Sequence, residues 1–327
     1  MIKQFQDENT SCKSLISKPL FMASGCFLAT YVTNLVLTFV LATIVFDLTS
    51  STFDSYTFVQ MLYIVMPALT LSVAFLPFLF AKIQKISFIQ DYKIRWCGVR
   101  NIICAIFLGI ILVFLMVFVS GTFLSILEYF GIVFPETYQP TAETVPQLIA
   151  EIICIALFPA IFEEILVRGY LRKNLENYFN QTTVIIITAV LFAFLHGDIR
   201  SFIPTFIAGI YLAYLVYRTN SIIPSMIVHF VNNALITCIT FFGNFADTEP
   251  ASESAISTLS DLYTAVIFYA VPVVILFGIS LYVMNFCKKI PSPDDDEIDS
   301  FAKYRARPLA WVLFGCCFVF SIIIYVL

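Results

Sequence analysis

The sequence predicts an all-α fold, a polytopic membrane bundle of helices. Hydrophobic residues make up 60% of its 327 residues and charged residues only 12%, against roughly 45–50% and about 25% in an ordinary soluble domain. Apolar runs long enough to cross a bilayer also recur along the whole chain. Because these runs are continuous, and because lipid forces backbone groups to pair internally, helices are favoured over alternating strands.

Nine apolar runs approach the length of about 20 residues that a helix needs to cross a bilayer. They lie at 20–46, 57–81, 102–126, 147–168, 183–197, 201–217, 221–243, 262–286 and 309–327. The fifth and sixth runs are short, so we expect them to be tilted or packed inside the bundle. The sequence therefore predicts about 8–9 transmembrane helices.

The basic residues predict the orientation of these helices. In an alternating nine-span arrangement, 17 of the 18 Lys and Arg residues share the side of the N-terminus, with Arg200 as the exception. The loops on the other side, 47–56, 127–146 and 244–261, carry acidic residues and no Lys or Arg. The positive-inside rule makes the basic side cytoplasmic, so we expect a cytoplasmic N-terminus.

A few ionisable residues interrupt the apolar runs. Each costs about 2.5–3.5 kcal/mol on insertion scales, which makes it a candidate for function. The fourth run carries Glu163, Glu164 and Arg168, and the two histidines of the sequence, His196 and His229, lie at or in later runs. Asn34 and Gln60, in the first two runs, are interpreted as interhelical hydrogen-bonding residues.

The spacing of the charged residues separates the two glutamates. Glu164 and Arg168 are four residues apart, so on a helix they form an ion pair that lowers the cost of burying both. Glu163 lies about 100° further around the helix and is left without the arginine. A carboxylate held this way in an apolar site is suited to act as a general base.

The seventh run presents imidazole and amide groups together. His229 and Asn233 are four residues apart, and Asn232 lies between them at the third position. On a helix these side chains share one face. Imidazole and amide N–H groups are donors of the kind that an oxyanion hole requires.

Counting along the helices predicts which residues lie at one level. We expect turns near Phe179 and Asn180 and near Thr219 and Asn220. Glu163 and His196 are equally far from the first turn, so in a helical hairpin they face each other about 25 Å from it.

Three motifs occur in order, each on a separate apolar run. They are E-E-x-x-x-R, F-x-x-x-H and H-x-x-x-N, at Glu163, Glu164 and Arg168, at Phe192 and His196, and at His229 and Asn233. Together they resemble the signature of the CPBP family, which contains CAAX prenyl endopeptidases and bacteriocin-processing (Abi) enzymes. The resemblance divides the chain into a catalytic core, 145–245, between N-terminal helices with a cytoplasmic loop, 1–144, and C-terminal helices with an acidic cytoplasmic loop, 246–327.

The resemblance implies an intramembrane endopeptidase of the glutamate type in a bacterial cell membrane. Glu163 and His196 would activate a water molecule, and His229 and Asn233 would hold the oxyanion. The remaining motif residues would support the site: Glu164, Arg168 and Asn232 would shape it, and Phe192 would orient His196. The expected partners are a peptide or membrane-protein substrate and the lipid bilayer, without nucleic acid.

The sequence leaves open whether the enzyme would use a metal. The family has also been described as metalloproteases, in which case Glu163, His196 and His229 would hold a divalent metal such as zinc. The sequence has no H-E-x-x-H motif and its two histidines are 33 residues apart, which favours chemistry that requires no cofactor.

The main alternative function is a non-proteolytic scaffold or bacteriocin-immunity protein that binds a regulatory membrane partner. A transporter with a proton relay is a third option. The motif residues also have structural interpretations, such as pairing of the glutamates with Arg168 and Arg172. The complete set of motifs favours the enzyme.

Overall fold

The computed structural model describes residues 19–40, 43, 55–132, 134, 142–243 and 258–291, with only the backbone for 55–68. Within these residues the fold is all-α and contains no strand. The helices are α1 (Pro19–Val40), α2 (Ser55–Gln84), α3 (Gly98–Tyr129), α4 (Val145–Leu175), α5 (Gln181–Leu195), α6 (Ile199–Thr219), α7 (Ile223–Gly243) and α8 (Leu259–Phe286).

Six of the described helices are long and apolar enough to cross a membrane: α1, α3, α4, α6, α7 and α8. Helix α5 and the part of α2 with described side chains, Leu69–Gln84, are apolar but shorter. The predicted short fifth run is thus confirmed, whereas the sixth run belongs to a helix of 21 residues. The ninth predicted run, 309–327, lies outside the described residues, and the cytoplasmic N-terminus stays a prediction.

Helix α4 changes its winding on both sides of the two glutamates. Its π-helical segments, Ile152–Leu157 and Ile165–Leu171, flank the α-helical stretch Phe158–Glu164. In a π-helical turn the backbone N–H pairs with the carbonyl five residues back, and such turns are frequent at functional sites. The segment Ile165–Leu171 lies between Glu163 and the turn near Asn180. Its winding changes the rise per residue, which the count of residues from Glu163 to that turn took to be that of an α-helix.

The two predicted turns are present. Helix α4 ends at Leu175, and α5 begins after Asn180, whose side chain accepts a hydrogen bond of 2.9 Å from the Thr183 backbone N–H. Helix α6 ends at Asn220, which adopts the left-handed conformation with φ of 57°. Asn tolerates this conformation better than most residues. Helices α4, α5, α6 and α7 thus follow one another through short connections.

Small residues let neighbouring elements approach closely. A Cβ atom on Gly209 of α6 would lie 2.8 Å from Cα of Ala189 in α5, and one on Gly169 of α4 would lie 2.8 Å from the Tyr92 ring. Small residues at such contacts are typical of helix packing in membranes. Apolar side chains fill the remaining space, with one cluster around Tyr170 and Phe192 and another between α3, α6 and α7.

A charge cluster joins the end of α4 to the α2–α3 loop. Arg172 pairs with Glu176 at 2.5 Å and donates to the Asp91 carbonyl at 2.6 Å, while Lys173 pairs with Asp91 at 2.6 Å. Burial alone would raise the pKa of Glu176, but the charges of Arg172 and Lys93 outweigh it and hold that pKa below its usual value. Arg172 is therefore occupied at the helix end and forms no ion pair with Glu163 or Glu164 among the described residues.

Candidate active site

Helices α1 to α7 enclose a cavity of about 670 Å³. All four predicted catalytic side chains line it: Glu163, His196, His229 and Asn233. Two of the supporting residues, Phe192 and Asn232, line it as well. Most other lining side chains are apolar, but Asn34 and several threonines also line the cavity, and such a mixture is typical of ligand pockets.

Glu164 and Arg168 form the expected ion pair behind the cavity wall. Glu164 Oε1 lies 2.7 Å from Arg168 Nη1, and the two side chains are 0% and 1% exposed. Arg168 Nη2 also donates to the Gly209 carbonyl at 3.0 Å. Replacing both residues of such a buried pair by apolar residues of similar volume costs little stability. Removing only one partner leaves a buried charge without compensation and is strongly destabilising. The pair therefore ties α4 to α6.

Glu163 has a different environment, although it is the adjacent residue. Its side chain is 18% exposed and lines the cavity, and within the described residues it forms no ion pair with Lys or Arg. Its Oε2 atom, like Glu164 Oε2, is buried without a hydrogen-bond partner. Unsatisfied buried polar atoms are rare and often mark functional sites. The predicted separation of the two glutamates is thus confirmed.

His229 lies between the two carboxylates. Its Nε2 is 4.0 Å from Glu163 Oε2, and its Nδ1 is 3.4 Å from Glu164 Oε1. The contact of 4.0 Å is too long for a hydrogen bond. Nδ1 has no hydrogen-bond partner either, although Glu164 Oε1 is 3.4 Å away. The ring is buried. It lies next to the Glu164 carboxylate of the Glu164–Arg168 ion pair through Nδ1 and next to the Glu163 carboxylate through Nε2.

His196 is held at the end of α5. Its Nδ1 lies 2.9 Å from the Phe192 carbonyl oxygen, which can only accept a hydrogen bond, so Nδ1 carries the proton. In the neutral ring Nε2 is then an acceptor and can take a proton from water. The following Gly197 has φ of 63°, which allows the sharp turn into α6.

Asp198, close to His196 in sequence, is occupied elsewhere. Burial would raise the pKa of Asp198, but its hydrogen bonds and ion pair with Arg200, at 2.7 Å, outweigh burial and lower that pKa. Asp198 also accepts from the Arg200 backbone N–H and begins α6. It therefore has a local structural role.

Phe192 connects the charged groups, and its predicted packing against His196 is confirmed. Its ring stands edge-on to His196 at 4.8 Å and to His229 at 5.8 Å between centroids. The Arg168 guanidinium lies 4.3 Å from the ring centroid, a favourable cation–π distance. One aromatic ring thus sets the relative positions of both histidines and the buried arginine.

The amide pair of α7 is fixed by the first π-helical segment of α4. Asn233 Nδ2 donates to the Ile155 carbonyl at 3.2 Å, and Asn232 Nδ2 donates to Asn233 Oδ1 at 3.0 Å. These bonds define which end of the Asn233 amide is the donor. One of its two N–H groups is used in this way, and the second is left for a ligand.

The structure differs from the sequence expectation in one contact. Within the described residues no hydrogen bond or ion pair joins Glu163 to His196; the nearest imidazole to Glu163 is that of His229. The physical reason is the π-helical segment between Glu163 and the turn, together with the hydrogen bond that holds His196 to Phe192. The two side chains nevertheless line the same cavity.

The donor set does not fit a protein-held zinc site. Among the described residues no three His, Cys, Asp or Glu side chains are grouped closely enough to hold a metal. Of the three candidate ligands, only Glu163 and His229 lie within 4.0 Å of each other.

Two main-chain groups of this region were not singled out from the sequence, and one side chain, Asn34, was interpreted only as an interhelical hydrogen-bonding residue. The Ile155 and Gly209 carbonyls hold Asn233 and Arg168. Asn34 accepts a hydrogen bond from Ser72 of α2, as the interhelical interpretation predicts, but it also lines the cavity. The other residue of that interpretation, Gln60, lies outside the described side chains. Main-chain carbonyls that accept such bonds have no residue-type signal in a single sequence.

The six long apolar helices are those of an integral membrane protein. Residues 145–235, less than half of the chain, match the family model described as type II CAAX prenyl endopeptidase Rce1-like, a family of CAAX-type proteases. The match begins where the motif resemblance predicts and contains all eight site residues. Helices α1, α2, α3 and α8 lie outside it. The comparisons with curated proteins and with solved structures gave no match.

Proposed function

We propose that the protein is an intramembrane endopeptidase in which Glu163 is the general base. The observation that carries this proposal is the difference in environment between the two adjacent glutamates. Glu164 is neutralised by Arg168 at 2.7 Å, whereas Glu163 lines the cavity and forms no ion pair with Lys or Arg within the described residues. The Rce1-like domain supports a protease.

The proposed reaction uses the side chains that line the cavity. A water held by Glu163 and His196 attacks the peptide carbonyl carbon, and its proton passes to Glu163. The oxyanion accepts hydrogen bonds from His229, protonated at Nε2, and from the second N–H of Asn233. Collapse of the tetrahedral intermediate breaks the C–N bond, and the proton on Glu163 passes to the leaving amine.

The size of the cavity favours a short, unfolded stretch of substrate. A volume of about 670 Å³ lies within the roughly 300–1,000 Å³ of ordinary ligand pockets. We therefore propose that the substrate enters as an extended peptide, such as the tail of a membrane-associated chain. The bacterial cell membrane stays a prediction.

The host organism supplies the first test. We expect Glu163→Ala and His196→Ala each to change the set of membrane and secreted peptides, with uncleaved substrate accumulating, because both remove a group that activates water. Quantitative peptide mass spectrometry measures this. Glu143→Ala, which removes an exposed glutamate just before α4, is the matched control and leaves the peptides unchanged.

Unchanged peptides in both site variants, at normal protein levels, would contradict the endopeptidase. They would favour the non-proteolytic scaffold or immunity protein, which needs a binding partner and no general base.

A further inference from the structure

We propose that helix α1, outside the region of the family match, binds the backbone of the substrate through Asn34. This inference rests on the proposed endopeptidase for the class of ligand, an extended peptide. Its physical basis is a polar row on the cavity wall supplied by α1.

The row consists of Tyr31, Asn34 and Thr38, which all line the cavity. Their spacing of three and four residues puts them on one face of the helix. Large apolar side chains such as Val36 and Phe39, 54% and 73% exposed, lie on the outer side of α1, together with Thr33. Tyr31, Asn34 and Thr38 line the same cavity as Glu163 and His229.

The amide of Asn34 contacts α2 through one end. The Ser72 hydroxyl lies at hydrogen-bond distance from both Asn34 Oδ1 and the Leu69 carbonyl, and its single proton serves one of these acceptors at a time. Among the described residues the Asn34 nitrogen donates to no acceptor. Asn34 is half-buried and lines the cavity, so a substrate carbonyl in the cavity could accept a hydrogen bond from this amide.

The spacing of the row suits an extended peptide. Asn34 and Thr38 are separated by about 6 Å along the helix axis, close to the roughly 6.6 Å between alternate residues of an extended chain. The Thr38 hydroxyl donates to the Asn34 backbone carbonyl at 2.8 Å, which leaves its oxygen to accept. Asn34 and Thr38 can therefore pair with a carbonyl and an N–H on one edge of a substrate.

The test measures binding separately from cleavage. The protein is the full chain carrying Glu163→Gln, in bilayer discs, and the probe is a fluorescent hexapeptide that ends in a farnesylated C-a-a-X sequence. Fluorescence anisotropy gives its Kd. We expect Asn34→Ala and Asn34→Asp each to raise the Kd by about 3- to 10-fold, the factor for one neutral hydrogen bond.

Two further variants separate binding from structure. Ser72→Ala removes the interhelical hydrogen bond but keeps the Asn34 amide, and we expect its Kd to stay within about 2-fold of the parent. Val36→Ala, on the lipid-facing side of α1, is the matched control and leaves the Kd unchanged. In the chain with Glu163 intact, Asn34→Ala raises KM and leaves kcat unchanged.

The inference is overturned if the Asn34 variants bind like the parent, if Ser72→Ala weakens binding as much as Asn34→Ala, or if the parent does not bind the peptide. The outcome is distinct from that of the proposed function. Binding that depends on Asn34, without cleavage by the unmodified chain, would support the α1 site and contradict the endopeptidase. Cleavage by the unmodified chain, with binding that is independent of Asn34, would support the endopeptidase and contradict the α1 site.

Discussion

At the scale of single residues, the neighbouring glutamates have opposite environments. Helical geometry alone separates them, because only Glu164 lies four residues from Arg168, and the distance of 2.7 Å confirms that prediction. The same geometry could not predict that His229, rather than His196, is the imidazole nearest to Glu163. That outcome depends on tertiary contacts of α4 and α5 which residue spacing does not encode.

This contrast predicts different effects of the same substitution on stability. Glu164→Gln leaves Arg168, 1% exposed, without its counter-charge, and we expect it to lower the free energy of unfolding by about 3–5 kcal/mol. Glu163→Gln removes no ion pair with Lys or Arg in the described part of the chain, and we expect the protein to unfold at the wild-type temperature. Thermal unfolding of the purified protein, followed by intrinsic fluorescence, measures both.

A double variant is the control for the ion pair. Glu164→Gln combined with Arg168→Met removes both charges, so we expect part of the lost stability to return. Equal unfolding temperatures for Glu163→Gln and Glu164→Gln would contradict the assignment of Glu164 as the paired, structural carboxylate.

At the scale of helices, the positions of turns were predictable and the winding of α4 was not. Turn residues such as Asn180 and Asn220 carry a local signal, since Asn caps helices and tolerates the left-handed conformation. The segments Ile152–Leu157 and Ile165–Leu171 have the apolar composition of ordinary helix, and their π-helical winding is set by neighbours. Consequently the Ile155 carbonyl that holds Asn233 could not be found from the sequence.

The contact between α5 and α6 gives a prediction at this scale. Gly209→Ala would put a Cβ atom 2.8 Å from Ala189 Cα, which the packed helices relieve only by moving apart. We expect a loss of about 1–3 kcal/mol in stability, together with lower activity, because the Gly209 carbonyl that binds Arg168 moves. Thermal unfolding and peptide cleavage measure the two effects.

Gly278→Ala on α8 is the matched control. A Cβ atom there meets no atom within 4 Å among the described residues, so we expect unchanged or slightly higher stability, as Ala favours helix over Gly. If both glycine variants unfold at the same temperature, the close α5–α6 contact does not determine stability.

At the scale of the whole molecule, the cavity combines two sources of side chains. Residues 145–235 supply the polar side chains around Glu163. Helices α1, α2 and α3 supply further side chains that line the cavity. Composition and run length were sufficient to predict an all-α membrane protein. They could not predict which helices enclose the site, since that depends on packing between segments far apart in sequence.

The central claim is that Glu163 activates the water that cleaves a peptide. Its most direct test is the initial rate at which the purified full-length protein, in bilayer discs with a chelator present, cleaves the farnesylated hexapeptide. We predict cleavage by the wild type and by Glu143→Gln, and a loss of about 10²- to 10⁴-fold in Glu163→Gln. Cleavage by Glu163→Gln at the wild-type rate would contradict the claim.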